Sequence, residues 1–324
     1  MVSSERQHGR VWRAAVTTVV EVDRVSKSFD DQSVLRELSF SIERSEIFCL
    51  LGPNGAGKTT TMEILEGFLE PDSGSVQVLG CDPLASGEVL RPRVGVVLQE
   101  SGFPKFFRVG EMINTWRSYY DDPLPYDDIL DLVGLRNDEA KLIRKLSGGQ
   151  RRRLDFALAV AGDPAVIFLD EPTTGFDPEA RARCWEAIAS LRELGKTILL
   201  TTHYLDEAER LGDRIAVLLD GAAGAIGSTQ ELAHLANLGV TVSFQASAEV
   251  AEELAREFPG LKTADESVDG QIDNVRALTR RLELLDDHAS QRAFASLRVQ
   301  PPSLEQAYLS LVGRQSLPTD SRSQ

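Results

Sequence analysis

Apolar positions along the chain follow two alternating rhythms. Short β-branched runs begin near Thr17, "TTVVEVDRV", "ELSFSIE" and "IFCLLG", and turn residues punctuate them. Alternating or continuously apolar runs of this length predict strands. "SVQVLG" and "RVGVVLQ", between about Val76 and Leu98, read the same way. From about Pro104 to Leu142 the spacing lengthens. "VGEMINTWRSYY" and "YDDILDLVGL" carry helical periodicity, with Pro123, Pro125 and Gly134 between and after them. A helical lobe, about residues 100–160, is therefore expected as an insertion in an α/β domain. Beyond it "AVIFLDEP" and "TILLTTH" are continuously apolar and predict buried parallel strands. "RARCWEAIASLREL", closed by Gly195, and "YLDEAERLG" predict helices, and "RIAVLLDG" a further strand. This alternation implies a mostly parallel sheet with helices on both faces. From about Leu235, "GVTVSFQA", "EVAEELAREF", "VRALTRRLELLDD", "RAFASLRVQ" and "SLEQAYLSLVG" predict a small α+β domain whose element order the pattern leaves open. Polar, aperiodic residues at 1–16 and 315–324 are expected to be disordered tails, bounding domains at 17–234 and 235–314.

Composition changes this picture little. The 324 residues suit roughly two domains, and the 42% hydrophobic share is that of an ordinary globular protein. The formal charge of −15 argues against a general nucleic-acid binder but leaves room for a local basic cradle. Cys49, Cys81 and Cys184 form no C-x-x-C pair, so all three read as small core residues in a reducing compartment. No apolar run approaches the ~18 residues of a membrane span. "AAVTTVV", which follows Arg10 and Arg13, is too short and too polar for a secretion signal. The expectation is a soluble chain whose membrane partner, if it has one, is a separate polypeptide.

The chemistry begins at "GPNGAGKTT", which fits G-x-x-x-x-G-K-[ST] at every position, after an apolar strand and before a helical run. Gly52, Pro53, Asn54, Gly55, Ala56 and Gly57 can curl so that successive N–H groups form an anion nest, with the helix N-terminus behind it. Lys58 adds a cation for β- and γ-phosphates, and Thr59, followed by Thr60, offers a hydroxyl to Mg²⁺. The fold expected is that of a P-loop NTPase, with the phosphates of a nucleotide and Mg²⁺ as ligands. In "VIFLDE" a buried strand ends in two acids, a rare arrangement unless they are paired or hold a metal. Asp170 is placed to hold Mg²⁺ and Glu171 to polarise the attacking water. His203 ends the strand after the carboxylate strand. It reads either as a structural residue or as a hydrogen-bond partner of the γ-phosphate in the same crevice.

A further stretch, "KLSGGQRRRLDFALA", sets two glycines at the start of an amphipathic helix. Taken in order, the cradle, the glutamine of "VVLQE", "LSGGQ", "FLDEP" and "TTH" resemble the nucleotide-binding subunit of an ABC transporter, from about Val19 to Glu231. The resemblance implies that Gln99 touches Mg²⁺ and senses the membrane partner. It also implies that Ser147, Gly148, Gly149 and Gln150 form a signature turn donating to the γ-phosphate held by a second copy, and that Asp177 acts across that homodimer. Phe29 falls where the family puts an aromatic against adenine; a plain core aromatic is the other reading. Arg151–Arg153 read as a surface cluster or as ion-pair donors.

"QESGFP", "EPTTG", "TTHYLDEAERLGDRIAVL" and "PPSLEQAYLSLVGR" further resemble the drug-exporter, daunorubicin-resistance-like type. Its permease is a separate membrane chain, which implies a cytoplasmic subunit held on the inner face of the membrane. The sequence departs from that type at Phe176 and in "DGAAGAIGST". The C-terminal domain reads as assembly support or as a regulatory ligand site. A soluble ABC ATPase of translation or DNA repair is the rival. One cradle, one signature and no long heptad coiled coil speak against it. No N-K-x-D motif supports a GTPase.

Overall fold

A computed structural model describes residues 18–97, 102–264, 266–285 and 287–315. The expected N-terminal tail, Gln99, and the expected C-terminal tail beyond Gln315 lie outside the described residues.

The chain opens with strands β1 (Thr18–Phe29), β2 (Gln32–Glu43) and β3 (Ile47–Leu51), then helix α1 (Lys58–Leu65) and β4 (Ser73–Val78). A short α2 (Gly87–Leu90) precedes β5 (Val94–Val97), and helices α3 (Val109–Arg117), α4 (Tyr126–Leu132) and α5 (Gly148–Val160) follow. Next come β6 (Val166–Asp170), α6 (Pro178–Glu193), β7 (Thr197–Thr202), α7 (Leu205–Leu211), β8 (Arg214–Leu219), β9 (Ala222–Gly227) and α8 (Thr229–Leu235). The C-terminal part runs β10 (Val240–Gln245), α9 (Ala248–Glu257), β11 (Leu261–Ala264), β12 (Ser267–Ile272), α10 (Val275–Glu283), α11 (Asp287–Ser296), β13 (Arg298–Gln300) and α12 (Leu304–Gln315).

These elements divide into two compact units, Met1–Glu46 with Thr59–Leu199, and Ile47–Lys58 with Leu200–Gln324. In the first, β1 lies between β2 and β4 in an antiparallel sheet. Its alternating pattern buries Val20, Val22, Leu38, Phe40 and Ile42. β5 pairs in parallel with β6, and the first half of β7 continues that order. Every position of β6 is buried, as its unbroken apolar run requires. α3 and α4 pack on α5, and Ile113, Ile129, Leu130 and Leu154 of these helices are buried. Gly195, at φ +79°, follows the C-terminal end of α6.

In the second unit the rest of β7 is followed by β3, β8 and β9. β3 and β8 are parallel, but β9 returns antiparallel to β8 through the turn at Asp220 and Gly221. A tight two-residue return can only make an antiparallel pair. The small C-terminal sheet has the order β11-β12-β10-β13, all antiparallel. Its core is Val242, Phe244, Leu254, Val268, Leu278 and Leu282, supplied by the sheet and by α9 and α10. The last helix leaves this core. After Pro301 and Pro302, α12 packs on α7 and α8, with Leu304 N donating to Glu209 Oε1 at 3.1 Å. Prolines cannot continue the β13 ladder, so they free the chain to turn away.

Cys49 and Cys184 are buried as expected, whereas Cys81 is only half-buried, beside the bridge Val78–Cys81, and is not a core residue. Burial pushes the Cys49 thiol well above its ordinary value, and the carboxylates of Glu207 and Asp213 add to the rise. Among the described residues no helix is long and apolar enough to cross a membrane.

Candidate functional site

In the second unit, β3 runs into the glycine-rich loop. Gly55 and Gly57 take φ of +82° and +101°, where a side chain is strained. Gly52 is needed for another reason. A Cβ there would sit 2.5 Å from the Leu218 carbonyl oxygen, while its N–H donates to Thr202 O at 3.2 Å. The glycine thus lets the loop start between two neighbouring strands. Pro53, Asn54 and Gly55 are exposed, and Ala56, Gly57 and Lys58 are buried. Lys58 Nζ curls back to donate to Gly52 O at 2.9 Å and Pro53 O at 3.1 Å. His203 follows the end of β7, half-buried, with its ring 4.1 Å from that of Tyr204.

In the first unit, α1 continues from Thr59 and Thr60. Thr59 Oγ1 donates to Asp170 Oδ2 at 3.3 Å, and Asp170 is the buried last residue of β6. This hydroxyl–carboxylate pair is a hard-oxygen donor set, which suits Mg²⁺. No group of three or more His, Cys, Asp or Glu able to hold a metal occurs among the described residues. A cation bound here therefore needs further oxygens of the kind a triphosphate carries. Glu171 has φ +44°, and a non-glycine residue held there costs on the order of 1–3 kcal/mol. Its Oε2 accepts from Thr174 Oγ1 at 3.1 Å. Glu66, just past α1, was not foreseen. Burial, with the charges of Asp170 and Glu63, pushes its carboxyl up to about 8.

Ser147 N-caps α5. Its Oγ accepts from Gln150 N at 3.2 Å, while Gln150 Oε1 accepts from Ser147 N at 3.0 Å, a reciprocal capping box. Gln150 Nε2 also donates to Asp138 Oδ2 at 2.9 Å. Gly148 and Gly149 are the first two helical residues. A Cβ on Gly148 would meet nothing within 4 Å, and one on Gly149 would make only an ordinary contact with Ala180. Gly148 and Glu171 line one pocket of about 170 Å³ together with Arg151, Asp155 and Thr174.

The ABC transporter family matches residues 35–174, from β2 to just past Glu171. A Ralstonia nicotianae protein named Nod factor export ATP-binding protein I is 35% identical, over 92% of this chain and 95% of its own. The chain is a member of the ABC transporter ATP-binding family. A Burkholderia pseudomallei relative with the same name is 36% identical over 92% and 98% of the two chains. Among solved structures, one described as an ATP-binding subunit of an ABC transporter superposes with a TM-score of 0.61 at 26% identity. It covers 67% of this chain and 93% of its own. A nucleotide-free ATP-binding cassette from an ABC transporter gives 0.58 at 23% identity, over 66% and 92%, and shares the fold. The α/β architecture is thus that of a P-loop ABC ATPase, and the activity of this ABC ATPase is ATP hydrolysis.

Phe29 ends β1 and is 45% exposed, with Lys27 Nζ 5.8 Å from its ring centre, so the core reading of this aromatic fails. Lys27 is tied down by Asp72, whose carboxylate also accepts from Ser28 N at 2.7 Å. Those bonds hold the Asp72 carboxyl below its usual range. Asp177 N-caps α6, accepting from Ala180 N at 2.8 Å. The surface reading of the arginine run fails for Arg152, which is only 7% exposed and points inward. Its signal was present in the spacing. On α5, Arg152 lies one turn before Phe156, on the face that buries that ring.

Proposed function

We propose that this ABC ATPase powers export through a permease on a separate chain, working as a pair of identical subunits with ATP between them. The observation that carries the export reading is the extent of the likeness. Relatives named for Nod factor export match over 92% of this chain and 95% of the relative, so the likeness includes the C-terminal part. On this reading the chain sits on the inner face of the membrane and belongs to the drug-exporter type. Its cargo is a drug, antibiotic or lipid-like compound. Residues 235–314 form an accessory domain that supports assembly.

Each residue has a task in this scheme. The amides of residues 55–60 and the Lys58 ammonium hold the β- and γ-phosphates. Thr59 and Asp170, with Gln99, are the groups that would hold Mg²⁺, whose contribution is to neutralise charge on the phosphate oxygens. Glu171 takes the proton of the attacking water, with one carboxylate oxygen fixed by Thr174. His203 orients that water against the γ-phosphate, and the exposed face of Phe29 stacks on adenine. The Ser147 oxygen accepts from Gln150 N, which leaves its hydroxyl proton to donate, on this reading, to the γ-phosphate on the second copy. Helical glycine costs up to roughly 1 kcal/mol relative to alanine, and among the described residues nothing crowds Gly148 or Gly149. Close approach by the partner's nucleotide accounts for both. Asp177 lies at the same contact.

Glu171→Gln tests the scheme. The variant is expected to bind ATP, to dimerise on Mg-ATP in size-exclusion chromatography, and to lose about 10²-fold or more in phosphate release. Hydrolysis at the parent rate removes Glu171 from the role of base. Affinity capture from membranes is expected to recover a multispanning protein; recovery of ribosomes instead would replace the export reading with a role in translation.

A further inference from the structure

We infer that Arg152 is a positioning residue for Glu171, clamping the strained turn that carries this carboxylate onto the signature helix α5. The inference rests on the reading of Glu171 as the base. The guanidinium spans the turn: Nε donates to Pro172 O at 3.0 Å and Nη2 to Asp170 O at 3.3 Å. The two acceptors are the carbonyls of the residues on either side of Glu171. A planar fork of donors can bridge two carbonyls in this way, whereas an ammonium group is a point donor. Pro172 has no N–H, so the turn lacks one backbone donor of its own. A left-handed φ at Glu171 persists only where the surroundings over-determine it. The Thr174 hydroxyl holds the side chain, and Arg152 holds the backbone on both flanks.

The charge balance points to function and away from simple stability. Arg152 is more than nine-tenths buried, and Asp155, one turn along α5, faces it with Oδ2 3.8 Å from Nη1. A buried ion pair is seldom more stable than apolar residues of the same size. Its use here is geometric. Arg152 lies one helical turn beyond Gly148, on the helix whose first turn is the Ser147–Gly149 signature. Any displacement of that turn is therefore passed to the carbonyls that flank Glu171 in the same chain.

Steady-state hydrolysis by the full chain is compared for the parent, Glu171→Gln, Arg152→Met, Arg152→Lys and the Glu171→Gln/Arg152→Met double variant, with thermal midpoints alongside. Arg152→Met is expected to lower kcat about tenfold or more and to leave KM for ATP within about twofold. It should add nothing to the loss caused by Glu171→Gln, because Arg152 acts through that carboxylate. Arg152→Lys, which reaches one carbonyl at a time, is expected to regain part of kcat. An unchanged kcat in folded Arg152→Met overturns the inference. So does a loss that multiplies with that of Glu171→Gln, or one matched by a rise in KM, since general loosening of the fold would do either. If Arg152→Met does not fold, Arg152→Lys and Asp155→Asn carry the same test, and both must lower kcat at constant KM. Parent-rate hydrolysis by Glu171→Gln, in contrast, defeats the reading of the base whatever Arg152 does.

Discussion

Two glycine-rich turns, the phosphate loop and the signature, use the same residue for different reasons. In the phosphate loop the chain's own geometry demands glycine. Gly55 and Gly57 have left-handed φ, and Gly52 has the Leu218 carbonyl against it. In the signature, Gly148 and Gly149 have ordinary helical conformations and room for a methyl group. A glycine that the chain itself does not require directs attention to whatever approaches it from outside. On the proposed reading, a site built within one chain is thereby separated from one that a second copy would complete.

The separation can be broken by experiment. Gly148→Ala is expected to have the largest functional effect. ATP hydrolysis and Mg-ATP-dependent dimerisation should fall about tenfold or more, while the thermal midpoint stays level or rises with the better helix former. A fall in midpoint with unchanged hydrolysis would assign the glycine to folding and dissolve the contrast. Gly52→Ala is expected to act the other way, with a loss of roughly 1–3 kcal/mol in urea unfolding from forcing Cβ against the Leu218 carbonyl. Unaltered stability there would mean that the two strands part easily.

Glu66→Gln is expected to have the smallest effect, and it concerns pH. In the nucleotide- and metal-free protein the Glu66 carboxyl keeps its proton up to about 8, far above the ordinary carboxylate range. The folded chain then binds more protons than the unfolded chain, so stability declines as pH rises through that window and levels off above it. The variant should flatten this slope. Parallel urea midpoints for parent and variant between about pH 5 and 8 would contradict the assignment.

Much of the architecture was legible because its signals are local. The unbroken apolar run of β6 is buried at all five positions, and "GPNGAGKTT" forms a loop between a strand and a helix with left-handed glycines. The capping serine of α5 and the aspartate that caps α6 carry N-cap residue types directly before their helices. What was not legible depends on partners distant in sequence. Phe29 is exposed although it closes an apolar alternation, and Cys81 is half-buried. Arg152, lost among three arginines, is sorted from its neighbours only by the turn it meets twenty residues later.

By itself, the amino-acid sequence determined the rhythm of strands and helices, the phosphate loop and the acids at the end of β6. These follow from backbone preference and from the exclusion of unpaired charge from buried strands. Only the tertiary structure decided the strand order of the small C-terminal sheet, the return of α12 to α7 and α8, and the inward turn of Arg152. Each of these is a contact between segments far apart in the chain, chosen by packing and by where the backbone leaves carbonyl groups to be satisfied.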